Sequence, residues 1–557
     1  MTNLVMPSLV YFAAACLAPL IPHARLRAVL LLGVPVLAAA TFFSATYGTS
    51  HILPLFDTHL KIFRLDALSY VFALVFSLAA FLSLLYAAHI RDRLEQVSTL
   101  IYAGSAIGAV FAGDLVTLFV FWEGTAIASV FLIWSRRTEG SYATGLRYIT
   151  AQIASGLLLL IGIVLFYHDT GSVAFERMTL DSTATWCIFI AFGIKCAFPL
   201  LHNWLQDSYP AATLTGTVTL SAFTTKLAVY ALARGFAGTE YLIYIGAVMT
   251  LFPVFFAAIE NNLRRVLSYS LNNQLGFMVV GVGIGTPLAL DGTVAHAFAH
   301  VIYKSLLFMS VGAVLYRTGT DKASELGGLW KSMPLTMVLC IVGAMSISAF
   351  PLFSGFIAKS LIVSASEPYL WVWFALMIAS VGVLEHAGIK IPFSMFFGHR
   401  SAADAPKVEE APLHMIIAMS FAAGLCIAIG VWPENLYAIL PYPVDYVPYT
   451  TAHVVTQLQL LFFAILAFAL LMRFGLYPLE YRSINLEFDW LYRRFLPRLV
   501  SRLAMRVTHA WRSLAGRTTA IATRILSYSP PANSASTGTM VLWIAILLGI
   551  VLCLAYL

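Results

Sequence analysis

Ionisable side chains are rare within the apolar stretches of this sequence, and three lysines among them could carry protons. Lys195 lies inside TWCIFIAFGIKCAFPLL, Lys226 inside LSAFTTKLAVYALAR, and Lys359 inside AFPLFSGFIAKS. A lysine at mid-membrane depth costs at least a few kcal/mol, so it is expected to face protein or water and to serve a function. Because desolvation disfavours the ammonium form, a buried lysine exchanges its proton readily.

A carboxylate and a row of histidines accompany these lysines. Glu123 lies in FVFWEGTAIASVFLIW, and AHAFAHVIYKSLLF places His296, His300 and Lys304 at positions i, i+4 and i+8, on one helix face. A carboxylate that can separate from a lysine makes a proton switch: the paired lysine stays charged, and the unpaired lysine releases its proton. We expect Lys195 to lose its proton when Glu123 is removed or turns away. The predicted proton pathway consists of Glu123, Lys195, Lys226, His300, Lys304 and Lys359, in an order that rests on the repeat pattern and the family resemblance given below.

Five further residues are secondary candidates for this pathway. They are His202, His296, Glu385, His386 and Lys390. For each of them a structural role without proton transfer is also open, because a lysine near a helix end can extend to the interface and a buried histidine can simply bond a carbonyl. This interpretation weighs most for Lys390.

The sequence predicts no metal, cofactor-binding or catalytic residue. His296 and His300 have the i, i+4 spacing of zinc ligands, but no third ligand is evident and a lysine continues their face. The six cysteines are scattered without a CxxC pair, so the sequence favours neither an iron–sulfur cluster nor a haem.

Prolines interrupt two of the apolar stretches in corresponding ways. Pro199 follows Lys195 by four residues, and Pro351 and Gly355 precede Lys359. Broken helices at matching positions in two halves are typical of inverted-repeat transporters. The alternative is two unrelated kinks, because proline and glycine are common in membrane helices. We predict two inverted five-helix repeats, at 97–235 and 241–397.

Composition places the chain among polytopic membrane proteins. Of its 557 residues, 60% are hydrophobic and only 11% are charged, and the mean hydropathy is +0.85; soluble proteins carry about 25% charged residues. About sixteen stretches are long enough to span a bilayer, which predicts an all-α fold. Met1–Leu20 lacks a basic n-region and is therefore interpreted as a first transmembrane helix and not as a signal peptide. The net charge of +7 needs no nucleic acid, because cytoplasmic loops of membrane proteins are basic.

Basic residues recur on alternate loops, which predicts that both termini face away from the cytoplasm. Lys61 and Arg64 are the exception, on an outer loop with Asp57 and Asp66. The predicted organisation is N-terminal transmembrane helices at 1–96, the two repeats, C-terminal transmembrane helices at 398–479, an amphipathic interfacial helix at 480–530 and a terminal transmembrane helix at 538–557.

The segment at 480–530 is too charged to span a membrane. Arg494, Arg498, Arg502 and Arg506 share one helix face, with Leu, Val and Trp between them. An arginine-rich amphipathic helix lies along a membrane interface. Two interpretations stay open: a surface helix without a partner, or a strap along neighbouring subunits.

Several motifs together resemble the antiporter-like subunits shared by respiratory complex I, Mrp-type multisubunit Na+/H+ antiporters and membrane-bound hydrogenases. They are FWEGTA, FGIKCAFPLLHNWLQDSYPAA, TTKLAVYALAR, NNLRRVLSYSLNNQLGFM, HAFAHVIYKSLLFMSVGA and FPLFSGFIAKSLI, in family order and spacing over about 97–397. The resemblance implies a core of about fourteen helices, with the seventh and twelfth broken. It also implies that Glu123 is the fifth-helix glutamate, Lys195 its partner, Lys226 and Lys304 the connecting lysines, and Lys359 the terminal lysine.

Two parts of the chain bear on the parent complex. HAGIKIPFSMFFG is similar to subunit-D-like proteins of the Mrp group, whereas the tail is similar to the lateral helix of the largest antiporter-like subunit of complex I. The leading hypothesis is a proton-translocating subunit of a hetero-oligomeric complex in the bacterial inner membrane, exchanging Na+ or K+ for protons through a Glu–Lys–His relay. The alternatives are a proton-pumping subunit of a complex I-like oxidoreductase or hydrogenase, without a redox site in this chain, a membrane subunit for inorganic-carbon uptake, and a purely structural role.

Overall fold

The computed structural model describes residues 5–55, 58–398, 408–476, 487–488, 490–509, 511 and 537–556. The chain forms two compact units, Met1–Asn485 and Leu486–Leu557. The described part is predominantly helical, which confirms the predicted fold class, and ten of its helices are long and apolar enough to cross a membrane. The protein is a multi-pass integral membrane protein.

The first half of the first unit contains ten helices and one hairpin. In chain order its elements are α1 (Pro7–Leu17), α2 (Ala24–Phe43), β1 (Ser50–Leu55), β2 (Thr58–Arg64), α3 (Ala67–Tyr86), α4 (Arg93–Phe111), α5 (Leu115–Trp134), α6 (Glu139–Thr170), α7 (Thr183–Cys196), α8 (Asn203–Ala211), α9 (Leu214–Ala222) and α10 (Thr224–Gly235).

The described residues of the second half continue with helices. They are α11 (Glu240–Ile259), α12 (Leu263–Ile284), α13 (Pro287–Thr318), α14 (Pro334–Ile347), α15 (Ser354–Ala365), α16 (Leu370–Phe397), α17 (Leu413–Val431), α18 (Pro433–Tyr437) and α19 (Thr451–Arg473). Helix α13 is 94% buried over its most apolar stretch and is the central element of the unit.

Polar caps set where several of these helices begin. The Asp114 carboxylate accepts the Thr117 N–H at 2.7 Å at the start of α5, and Ser182 forms a capping box at the start of α7. These side chains satisfy backbone donors that have no partner within the helix. The helices that carry Glu123 and Lys195 are therefore fixed at their first turns.

Two helix breaks share both sequence and backbone geometry. The break after α7 reads Ala197-Phe-Pro-Leu200, and the break after α14 reads Ala349-Phe-Pro-Leu352. The alanine and the leucine of each adopt positive φ, at 62° and 71° in the first and at 58° and 73° in the second. In both, the phenylalanine N–H donates to the carbonyl five residues before it, at 3.0 and 3.1 Å. Two unrelated kinks would not share these details. The inverted-repeat relation of the two halves stays a prediction.

Two irregularities have no counterpart in the sequence prediction. Helices α9 and α10 are separated at Phe223 without proline or glycine, and α16 contains π-helical turns at Leu384–Ile389 and Phe393–Phe397. Such turns widen a helix locally and occur frequently at functional sites.

Lys61 and Arg64 lie in a β-hairpin within the connection between α2 and α3. Strands β1 and β2 pair antiparallel, and Arg64 donates to the Phe175 carbonyl at 3.1 Å. Asp66 accepts from Arg234 at 2.8 Å. Arg64 and Asp66 are thus tied to the protein by their own partners.

The second unit contains a helix over 490–509, here α20, and α21 (Thr537–Tyr556). Helix α20 begins with a π-helical stretch at Leu491–Phe495 and carries the four arginines of the predicted interfacial helix. The rest of the 480–530 prediction, apart from 487–488 and Trp511, lies outside the described residues.

Substitution of Gly355, in α15, tests how tightly the helix break after α14 is packed. A Cβ at this position would overlap the Ser346 carbonyl oxygen, a backbone atom that cannot move aside alone. We expect Gly355→Ala to destabilise the protein by about 1–3 kcal/mol. The measurement is the apparent unfolding temperature of the purified protein, with Gly424→Ala in α17, which meets nothing within 4 Å, as the control. An unchanged temperature in Gly355→Ala would contradict the packing described here.

His89, in the loop after α3, makes a contact that is sensitive to pH. Its Nδ1 lies 2.9 Å from Nε2 of His414, and burial together with the His414 ring lowers the pKa of His89 from 6.5 to about 4. Between pH 6.5 and 4 the unfolded chain therefore binds a proton that the folded chain does not, so stability falls as the pH falls through this window.

We expect His89→Gln to reduce the loss of apparent unfolding temperature between about pH 7.5 and pH 5, measured by differential scanning fluorimetry. His168→Gln, which replaces an exposed histidine, is the matched control. A pH response equal to that of the wild type in His89→Gln would refute the assignment.

Candidate functional site

Lys195 is completely buried in the last turn of α7 and reaches across to α5. Its Nζ donates to the Trp122 carbonyl at 2.6 Å and to Thr125 Oγ1 at 3.0 Å, and it lies 4.4 Å from the centroid of the Trp122 ring. These partners flank Glu123 on the same helix. The ammonium is therefore bound by the helix that carries the predicted switch.

Glu123 and Lys195 are electrostatic neighbours without a direct ion pair. Each lies within Coulombic range of the other, but among the described residues no ion pair within 4.0 Å joins them. Glu123 Oε1 is buried without a hydrogen-bond partner among those residues. A Cβ at Gly156 of α6 would overlap this oxygen, so the glycine makes room for the carboxylate.

Further lysines bind carbonyls at the ends of interrupted helices. Lys226 Nζ donates to the Ser221 carbonyl at 2.6 Å, in the last turn of α9. Lys359 Nζ donates to the Ile347 carbonyl at 2.6 Å, at the final residue of α14. The last carbonyls of a helix lack intrahelical partners and carry the negative end of its dipole. The ends of α9 and α14 thus each bind an ammonium group.

His296 belongs to a chain of buried polar side chains that crosses from α13 to α12. Its Nε2 lies 3.0 Å from Tyr303 Oη, which donates to Gln274 Oε1 at 3.1 Å. Gln274 Nε2 donates to Asn273 Oδ1 at 2.6 Å, and Asn273 donates to the Thr250 carbonyl at 2.5 Å. The chain ends at the backbone of α11.

Lys304 and His300 lie at the centre of the site with fewer partners. Both are completely buried, and within the described part of the chain neither Lys304 Nζ nor either ring nitrogen of His300 has a hydrogen-bond partner. Lys304 is in Coulombic range of Lys226 and Lys359. The same lack of protein partners applies to polar atoms of Thr225, Ser270, Asn272, Ser305 and His386. Buried polar groups need a partner, and where the protein supplies none, water does.

The secondary candidates lie around this centre. His202 is buried before α8, with its ring 4.5 Å from that of Phe252, and Glu385 and His386 lie in the first π-helical stretch of α16. Lys390 donates to the Ala258 and Glu260 carbonyls at 2.7 and 2.8 Å, at the end of α11. Lys390 is buried and thus does not extend to the interface, and its role in the pathway stays a prediction.

Sequence reasoning missed Thr125, Tyr303 and the α12 amides. The signal for the amides was the run Asn272-Asn273-Gln274 inside an otherwise apolar helix, where every polar side chain demands a partner. Thr125 and Tyr303 carry no such signal, since both residue types are ordinary in membrane helices. Among the described residues, no three His, Cys, Asp or Glu side chains cluster as metal ligands.

Residues 112–384, which contain this arrangement, match the model of the NADH:quinone oxidoreductase/Mrp antiporter transmembrane family. This part of the chain belongs to that family. The antiporter-like domain therefore includes Glu123, Lys195, Lys226, Lys304 and Lys359.

Relatives of this antiporter-like chain come from more than one kind of complex. It is 28% identical over 404 residues to the A/B component of a probable K+/H+ antiporter of Rhizobium meliloti, covering 67% of this chain and 40% of that protein. It is 27% identical over 431 residues to hydrogenase-4 component B of Escherichia coli, covering 66% and 62%. It is 26% identical over 438 residues to the A1 component of an Na+/H+ antiporter of Staphylococcus aureus, covering 70% and 54%. The chain thus spans about half the length of these curated relatives.

Solved structures share the fold of the antiporter-like chain. The Mrp complex from Dietzia sp. DQ12-45-1b contains a chain with a TM-score of 0.71 and 23% identity, covering 82% of this chain and 100% of that chain. The archaeal membrane-bound sulfane sulfur reductase contains one with a TM-score of 0.73 and 21% identity, covering 98% and 99%. Both likenesses establish the fold.

Substitution of Thr125 tests how the Lys195 ammonium group is bound. Thr125→Val keeps the shape of the side chain but removes the only side-chain oxygen that accepts from Lys195 in the described structure. We expect a loss of about 1–3 kcal/mol of stability, because a buried donor to that oxygen is left short of a partner. The apparent unfolding temperature measures it, and Thr125→Ser, which keeps the hydroxyl, should stay close to the wild type. Equal temperatures for the Val and Ser variants would show that the hydroxyl does not hold the lysine.

Proposed function

We propose that this chain is a proton-translocating, antiporter-like subunit of a multisubunit membrane complex, which exchanges Na+ or K+ for protons. The observation that carries the proposal is the buried row of Lys226, His300, Lys304 and Lys359, adjoined by the Glu123–Lys195 neighbourhood. A core that contains several buried lysines is costly. Such a cost is retained where the groups conduct charge.

The arrangement supports a pathway in which lysines stay bound to backbone carbonyls while protons move between them. Lys226 and Lys359 donate to helix-end carbonyls, whereas Lys304, in Coulombic range of both, has no hydrogen-bond partner among the described residues. A proton that arrives at one lysine raises the energy of a second charge nearby, because like charges repel strongly where the dielectric constant is low. A proton bound at one lysine therefore drives the release of a proton from the next lysine.

Glu123 is the proposed switch of this pathway. Its carboxylate has room beside Gly156 and lies near Lys195 without a direct bond, while Lys195 bonds the backbone of α5. Movement of the carboxylate toward Lys195 stabilises the ammonium, and movement away favours release of the proton. The roles of these residues and the order of transfer belong to the proposal.

Location and partners follow from the same reasoning. Basic residues on alternate loops support a bacterial inner membrane with both termini on the periplasmic side. The named antiporter relatives are subunits of larger systems, which supports partner membrane subunits here. Those relatives are A/B and A1 components, so a D-like identity rests on HAGIKIPFSMFFG alone.

A second candidate is the pump module of a redox complex. It is favoured by the similarity to hydrogenase-4 component B and by the fold shared over 98% of the chain with a chain of the sulfane sulfur reductase. Iron analysis of the complex purified with its native partners separates the candidates. Several iron atoms per complex support the redox module, and an iron-free complex with cation-dependent proton movement supports antiport.

The proposed function is tested by proton movement in everted vesicles that contain the whole complex. We expect Lys195→Ala to lower the initial rate of Na+- or K+-dependent proton efflux by about tenfold or more, because a proton-transferring group typically contributes at least that much. Gly156→Ala is a sharper variant, since it displaces the Glu123 carboxylate without changing any charge, and it should also lower the rate.

Gly140→Ala, on the same helix with open space around it, is the matched control for Gly156→Ala. The abundance of the complex in the membrane is measured for every variant. Wild-type rates in both Lys195→Ala and Gly156→Ala, at equal abundance, would exclude the proposed relay.

A further inference from the structure

Glu95 is a buried carboxylate that the proton pathway described above does not use. It lies in the first turn of α4 with 6% of its surface exposed, and its Oε1 accepts from the Thr213 hydroxyl at 2.8 Å and from the Thr215 hydroxyl. Its helix begins next to Arg91 and Arg93, so it lies at the end of the bundle that carries the basic loops. A buried carboxylate with only hydroxyl partners in a membrane protein is a functional candidate by default.

A small cavity borders this carboxylate. It has about 20 Å³ of space for the centre of a water molecule, which is enough for one water. Its polar walls are Glu95, Gln96, Thr99, Thr215 and Thr219, and its apolar walls come from α2, α3 and the loop after α3. Gln96 Oε1 is buried without a partner among the described residues, so a water bound in the cavity would supply the hydrogen bond that this oxygen lacks.

Polar side chains lead from this cavity toward Lys226. Thr99 and Tyr102 follow Glu95 on one face of α4, about 10 Å of helix in all. Tyr102 Oη lies 2.6 Å from Thr224 Oγ1, in the first turn of α10, the helix that carries Lys226. Residues two apart on a helix do not face each other, so the last transfer, to Lys226, needs a bridging water. Tyr102 and Thr224 are both buried, so this contact lies inside the protein and not on its surface.

We propose that Glu95 and its cavity form a proton-loading site, which takes protons from the side of the basic loops and passes them through Tyr102 and Thr224 to Lys226. The inference rests on the proposed function, because it supplies protons to the same pathway. The ligand of the site is a proton, carried by a single water between the carboxylate and the surrounding hydroxyls. Each transfer exchanges one O–H bond for another, and the last gives its proton to the Lys226 amine.

Glu95→Gln tests the proposal with little change in shape, since the amide oxygen still accepts from both threonines. In the vesicle assay we expect the initial rate of cation-dependent proton movement to fall by about tenfold or more. Glu95→Asp, which keeps an acid at the cavity, should recover a substantial part of the rate. Glu139→Gln is the matched control, because Glu139 is an exposed carboxylate in the first turn of α6.

A second measurement separates proton loading from a structural role. Glu95→Ala vesicles are assayed with added formate or azide, small anions whose acids can deliver a proton in place of the missing carboxyl group. We expect these anions to restore part of the rate in Glu95→Ala but not in Lys195→Ala. The Lys195→Ala vesicles also control for any leak that the anions cause.

The outcomes distinguish this inference from the proposed function. A wild-type rate in Glu95→Gln, together with an inactive Lys195→Ala, overturns the loading site and leaves the relay intact. Loss of rate in Glu95→Gln and Glu95→Asp alike, without rescue by either anion, also overturns it, because a shape requirement would then explain the loss. Full activity in Lys195→Ala rejects the relay and the loading site together.

Discussion

The structure depends on how a buried ammonium group finds oxygen in a helical membrane protein. Most carbonyls of an uninterrupted helix are bonded within that helix, although Lys195 does reach one of them, the Trp122 carbonyl in the middle of α5. Where a helix ends inside the protein, its last carbonyls are free to accept. Lys359 takes the Ile347 carbonyl of α14, Lys226 takes the Ser221 carbonyl of α9, and Lys390 takes carbonyls at the end of α11. Lys226, Lys359 and Lys390 are therefore held at helix ends, whereas Lys195 is bound by the continuous helix α5.

Much of this fold follows from sequence patterns that act locally. Apolar length sets the spans, and the 20 residues of α3, Ala67–Tyr86, have the length that a bilayer requires. The break after Lys195 was predictable because proline removes a backbone donor, and the similar sequence before Lys359 made the second break predictable too. The residue types of the site were also predictable, since few ionisable groups occur in the apolar stretches.

The contacts within the site were beyond sequence reasoning because they join distant parts of the chain. Lys195 and its acceptor Trp122 are 73 residues apart, and nothing local to either residue specifies that pairing. The separation of α9 from α10 at Phe223 has no proline or glycine to signal it, and the π-helical turns of α16 have no known sequence code. The hairpin at β1 and β2 was overlooked because Pro54 and short alternating runs look like loop between long apolar helices.

The paired Ala-Phe-Pro-Leu breaks have a consequence for the rate of conduction. Pro199 and Pro351 lack a backbone N–H, and the positive φ of the alanine and the leucine in each break places the backbone outside helical geometry. In the proposed function, protons pass such breaks by rotation of side chains and rearrangement of water and not by the slower swinging of whole domains. The rate of this proposed proton transfer is then set by how often side chains and water rearrange, because the helix ends that bind the lysines stay in place.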